Sequence, residues 1–197
     1  IWADTQAVCR EVLAQVASAG GRVVSIGITN QRETTIVWDK HTGKPVYNAI
    51  VWQDRRTADK CDALKSKIDE QQLQRSTGLL LDPYFSATKI RWILDNVAGA
   101  ERRADQGELL FGTIDTYLLW KLTAGKAHMT DATNASRTLL FDLNKQCWSQ
   151  DLLAVFDIPG QLLPEVADNT ANFGVSDAAV LGQELPITAM IGDQQAA

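Results

Sequence analysis

Residues 23–38 read VVSIGITNQRETTIVW, and the polar interruption in their middle decides how the chain is organised. VVSIGI (23–28) and TTIVW (34–38) are rich in β-branched and aromatic residues and read as strands. Between them, Asn30 and Gln31 are followed by adjacent charges at Arg32 and Glu33, where a turn would ordinarily use Gly, Pro, Asn or Asp. Successive strand residues point to opposite faces, so Arg32 and Glu33 can face one ligand only if the strand breaks there. Working outward, Trp2, Val8, Val12, Leu13 and Val16 recur at near-helical spacing, which predicts a helix over about 2–18 ending at Gly20-Gly21. VYNAIVWQ (46–53) follows TTIVWD (34–39) across the Gly/Pro turn KHTGKP, and the two read as a hairpin.

Further along, residues 57–75 and 86–104 each read as helical, flanking the irregular STGLLLDPYF (76–85). GELLFGT (107–113) reads as a strand and DTYLLWKLT as a short helix opened by Asp115. TDATNASRT (130–138) is turn-like, TLLFDL (138–143) a strand, and a helix is expected around 149–156. DIPGQLLPEV (157–166) is a punctuated connection, and PITAMIG (186–192) a short buried strand leading to Asp193. Strands and helices intermix without repeats, which defines an α/β class with a mixed sheet.

The 197 residues are 45% hydrophobic and 22% charged, with a formal net charge of −5, so a packed core forms and nucleic acid is a poor partner. No apolar run reaches the roughly 18 residues of a membrane span. Cys9, Cys61 and Cys147 are far apart, as reduced cytoplasmic thiols are. His41 and His128 have no Cys or His companions at metal-ligand spacing, so no metal site is expected, and neither GxxxxGK[ST] nor GxGxxG occurs.

A guanidinium fork beside a carboxylate suits a small polyol: Arg32 would donate to hydroxyl oxygens and Glu33 accept from hydroxyl protons. The pair could equally be a surface salt bridge. Trp52, in IVWQDRRT, could cover the apolar carbons of such a ligand or be a core aromatic. Tyr84, in the Pro-stiffened LDPYFS, could reach a hydroxyl or merely pack its loop. Asp193 sits at a strand's carboxyl end, where α/β sheets place catalytic groups, and also where a helix N-cap would stand.

Five segments carry a resemblance that runs in order and in spacing: residues 27–57, TGLLLDPYFSATKIRWILD (77–95), LLFGTIDTYLLWKLT (109–123), TDATNASRT (130–138) and IGDQQAA (191–197). They resemble the FGGY carbohydrate kinase family, specifically its members that phosphorylate glycerol. The resemblance implies a ribonuclease-H-like fold of the actin, hexokinase and Hsp70 ATPase superfamily. It further implies ATP-dependent, Mg2+-requiring conversion of glycerol to sn-glycerol 3-phosphate by a cytoplasmic homo-oligomer. Carried over by motif, Arg32 and Glu33 would hold glycerol hydroxyls, Trp52 would pack on its carbons and Tyr84 would add a hydroxyl contact. Asp193 would be the base for the attacking hydroxyl, with Gln194 beside it on the substrate. In the family a phosphate-gripping hairpin precedes this segment and a nucleotide domain follows it. Residues 1–197 are therefore expected to form part of a glycerol-binding N-terminal domain, inactive alone. The alternatives are another FGGY polyol or sugar kinase and a non-catalytic polyol-binding module.

Overall fold

The expected first helix forms in the computed structural model, which describes residues 1–197 throughout: α1 spans Trp2–Ser18. It buries no residue fully, and lays Trp2, Cys9 and Leu13 against the body. Strand β1 (Ile26–Asn30) starts later than its apolar run, leaving Val24 exposed. Its partner is far away in sequence: β8 (Ile187–Gly192) runs parallel to it, with Asn30 beside Gly192. A parallel pair puts both carboxyl ends at one edge. Residues 31–34 and residues 193–194 therefore emerge side by side, and this alone decides where a site can form.

Strand β2 (Ile36–Asp39) pairs antiparallel with β3 (Leu109–Gly112). The expected hairpin with 46–53 is reduced to two single bridges, Thr35 to Ile50 and Trp38 to Pro45, with a bend at residues 46–47 between them. Two further pairs complete the set: β4 (Met129–Asp131) parallel to β7 (Glu165–Ala167), and β5 (Phe141–Asp142) antiparallel to β6 (Cys147–Trp148). Parallel and antiparallel pairings both occur, as a mixed α/β class requires, distributed over four two-stranded ladders.

Each long helical run divides in two. The first becomes α2 (Ala58–Leu64) and α3 (Glu70–Thr77), because Asp69 turns extended and caps α3 by accepting from Gln71 N and Gln72 N. The second becomes α4 (Ser86–Asn96) and α5 (Ala100–Asp105), parted at Gly99, whose φ of 76° suits glycine. Helix α6 (Ile114–Leu122) starts one residue before Asp115, with Thr113 at its N-cap. TDATNASRT holds β4 and a short helix α7 (Ala132–Ala135), so it is more than a turn. Helix α8 (Gln150–Phe156), capped by Ser149, falls where expected, followed by a 3-10 turn at Gly160–Leu162 and a short α9 (Ala178–Leu181).

The main core gathers Val37, Ile90, Ile93, Phe111, Leu153 and Phe156 beneath α4. A smaller one, with Ile28, Leu119, Ile187 and Met190, binds the β1–β8 pair to α6.

Candidate functional site

The break at 31–34 is sharp. Thr34 N donates to Arg32 O at 2.8 Å, closing a three-residue turn around Glu33, whose φ is +64°. This is the rarer γ-turn form, and a non-glycine residue there costs about 1–3 kcal/mol. The surroundings hold it: Thr35 Oγ1 and Ser86 Oγ both donate to Glu33 O at 3.2 Å. The turn sends the neighbouring side chains to different places. Glu33 is buried, its Oε1 accepting from Arg137 Nε at 2.6 Å, whereas Arg32 is half-buried and donates Nη2 to Gln194 Oε1 at 2.7 Å.

All six residues singled out from the sequence meet. Arg32, Glu33, Trp52, Tyr84, Asp193 and Gln194, joined by Gln31, line one cleft of about 160 Å³. That is below the ~300–1,000 Å³ of pockets for drug-sized ligands and fits a small polyol. A larger hollow, about 590 Å³ beside Trp2, Pro45 and Tyr47, carries no charged side chain.

Trp52 lies in a turn, not at a strand end, and its ring stands 5.4 Å from that of Tyr84, tilted by 55°. Tyr84 N donates to Asp82 Oδ1 at 2.8 Å, which folds the loop after Pro83. The guanidinium of Arg137 lies 5.6 Å from the Tyr84 ring and 4.9 Å from that of Phe85, so one arginine supports both the carboxylate and the aromatic wall.

Asp193 departs from its expected local role. The N-cap of α10 (Asp193–Ala196) is Gly192, with no side-chain cap, and Asp193 is the first helical residue. Its Oδ1 accepts only from the adjacent Gln194 N, at 2.8 Å, so the rest of the carboxylate is open to solvent. A Cβ on Gly192 would lie 2.5 Å from Arg32 Cδ, so only glycine lets the two walls approach this closely.

Sequence reasoning assigned no role to Arg137, although its motif was in view, because its partner Glu33 is 104 positions away. Lys89 was also missed. It is fully buried beneath the aromatic wall and donates Nζ to Tyr84 O at 2.7 Å. Burial pushes its ammonium down to about 8, opposed by the nearby carboxylates of Glu33, Asp54 and Asp82. Behind the cleft, Asp115 is fully buried and accepts from Thr130 Oγ1 at 2.7 Å, Asn30 Nδ2 at 3.1 Å and Thr113 Oγ1. Burial raises its carboxyl to about 6 against the Thr113 and Thr130 hydroxyl donors. No group of three or more His, Cys, Asp or Glu is arranged to hold a metal ion.

Residues 1–197 match the N-terminal domain model of the FGGY family of carbohydrate kinases, and the chain belongs to that family. Relatives include a glycerol kinase of Alcanivorax borkumensis, 56% identical over the whole chain, and glycerol kinase 1 of Pseudomonas aeruginosa, 58% identical. The chain spans 40% of the length of each of these curated relatives. Among solved structures, Plasmodium falciparum glycerol kinase with ADP superposes with a TM-score of 0.92 at 39% identity, covering 98% of this chain and 39% of that one. A xylulose kinase of Rhodospirillum rubrum, 21% identical, matches with a TM-score of 0.87 over 99% of this chain and 40% of that one, a likeness of fold. The fold is thus the actin and hexokinase ATPase type of the FGGY kinases.

Proposed function

We propose that this chain is the glycerol-holding part of a kinase that converts glycerol and ATP to sn-glycerol 3-phosphate and ADP. The observation that carries the reading is the convergence of Arg32, Glu33, Trp52, Tyr84, Asp193 and Gln194 on one small cleft at the carboxyl ends of β1 and β8. The relatives at 56–58% identity, themselves glycerol kinases, support it.

Each residue has a task its chemistry suits. Arg32 and Gln194 donate to hydroxyl oxygens, the Trp52 ring covers the carbon backbone, and Tyr84 adds a further hydroxyl contact. Glu33, held by Arg137, accepts a hydrogen bond from a substrate hydroxyl. The open oxygen of Asp193 takes the proton of the attacking hydroxyl as its oxygen bonds the γ-phosphorus and the bond from that phosphorus to the β-phosphate oxygen breaks. Phosphoryl transfer relies mainly on positioning and charge stabilisation, so an ordinary carboxylate in the right place suffices.

ATP is the phosphoryl donor, and Mg2+ would neutralise its phosphates. We assign both largely to parts of the parent outside residues 1–197, because the cleft is sized for a polyol and the chain spans 40% of the length of its glycerol kinase relatives. The three cysteines are free, which accords with a cytoplasmic setting, and no helix is long and apolar enough to cross a membrane.

A substrate panel tests the reading. In an ADP-release assay, the full-length parent should turn over glycerol with kcat/KM at least about 10²-fold above that for xylulose or gluconate, since buried hydrogen-bonding groups discriminate strongly. Comparable turnover of a ketose would overturn the assignment to glycerol.

A further inference from the structure

Helix α10, which carries Asp193, is four residues long, buries nothing and has no side-chain cap. The bond from Gln194 N to Asp193 is local and cannot set the carboxylate's direction relative to the opposite wall. That direction is inherited from the backbone of Gly192, at the end of β8.

Beyond the ladder to β1, the end of β8 is gripped from one side. Gly192 N donates to Thr133 Oγ1 at 2.8 Å, and Thr133 Oγ1 in turn donates to Asp131 Oδ2. The same carboxylate oxygen accepts from Thr133 N at 2.8 Å and from Asn169 Nδ2 at 2.6 Å, and Asn169 Nδ2 also reaches Met190 O at 3.2 Å. Oδ1 of Asp131 accepts from Asn134 Nδ2 at 2.6 Å, and Asn134 exchanges hydrogen bonds with Asn30, the β1 residue registered against Gly192. Asp131 is fully buried and its oxygens are saturated, so it orients the threonine hydroxyl. On its other side Gly192 is in contact with Arg32, as the 2.5 Å approach to a notional Cβ shows.

We infer that Thr133, oriented by Asp131, is a positioning residue that aims the Asp193 carboxylate across the cleft by fixing Gly192 N–H. The inference rests on the proposed role of Asp193. Thr133 is not among the residues lining the cleft and reaches the Asp193 carboxylate through the end of β8. A displacement near 1 Å between reacting groups costs on the order of 10²-fold in rate.

Thr133→Val in the full-length enzyme keeps the shape and removes both hydrogen bonds. It should lower kcat for glycerol by about 10–10²-fold, with KM for glycerol changed less than kcat, and Thr133→Ser should restore most of the rate. The decisive measurement is the double variant: in an Asp193→Asn background, Thr133→Val should cost little more, since residues acting through one group are not additive. Costs that multiply in the double variant, or a kcat for Thr133→Val within about two-fold of the parent, would overturn the positioning role. Should Asp193→Asn itself leave turnover intact, the underlying assignment falls instead. If Thr133→Val does not fold, Asn169→Leu releases Asp131 and Met190 from outside α7 and reads the same split.

Discussion

The two walls of the cleft are built in opposite ways. Glu33, Tyr84 and Arg137 form one wall, rooted in the main core: a buried carboxylate, a guanidinium against two rings, and a fully buried lysine under the tyrosine carbonyl. Asp193 and Gln194 form the other, on one helical turn with no buried residue, held by its strand. In the first wall, the side chains that hold the fold are also those proposed to bind substrate. In the second they are separate, so a residue can lose its chemistry without the fold noticing. Arg32 leaves the turn that buries Glu33 and reaches the other wall, its chain packed on Gly192 and its tip bonded to Gln194.

Asp193→Asn breaks the comparison most directly. In the full-length enzyme it should reduce kcat by roughly 10²–10⁴-fold, the scale of a lost general base, with the melting temperature unchanged. A drop in melting temperature with kcat within a few-fold of the parent would place Asp193 on the structural side. Glu33→Ala should do both kinds of damage. It strands Arg137, which is partly exposed, so about 3 kcal/mol of folding stability should go along with glycerol affinity, the low end for a broken buried pair. Denaturant melts showing an unaltered midpoint would mean the buried ion pair contributes nothing. Arg32→Ala should have the smallest effect, about 1–2 kcal/mol of glycerol binding with stability untouched. Calorimetric titration with glycerol checks it, and a matching loss of stability would assign Arg32 to the rooted wall.

The same contrast explains what could be read from the sequence. Strand β8, helix α1 and helix α8 each have a run of apolar residues long enough to show its period and form where expected, and β1 forms on the second half of its run. β4, β6 and β7 are two or three residues long, too short for any period to register, and of the expected TLLFDL strand only the two residues of β5 pair. The cleft residues were legible as an aggregate of motifs, but their division between walls was not. Arg32 and Glu33 are neighbours that a single turn residue at positive φ sends to different fates. The partner that buries Glu33 comes from α7's far end, and no local pattern announces it. Asp193 was placed one position early because the extended backbone of Gly192, with ψ of 151°, serves as the cap without a side chain.

Trp52 gives the rooted wall an optical property. Of the six tryptophans it alone is exposed, at 37%, and it stands in the cleft beside a phenol ring. Trp38 and Trp120 are buried in an aromatic cluster and the other three are half-covered, away from the cleft lining. An indole so placed exchanges water for ligand whenever the cleft fills, while the remaining emitters keep their surroundings. The molecule therefore carries its own fluorophore at the site, and changes in its emission and in its access to a soluble quencher report occupancy from a single known position.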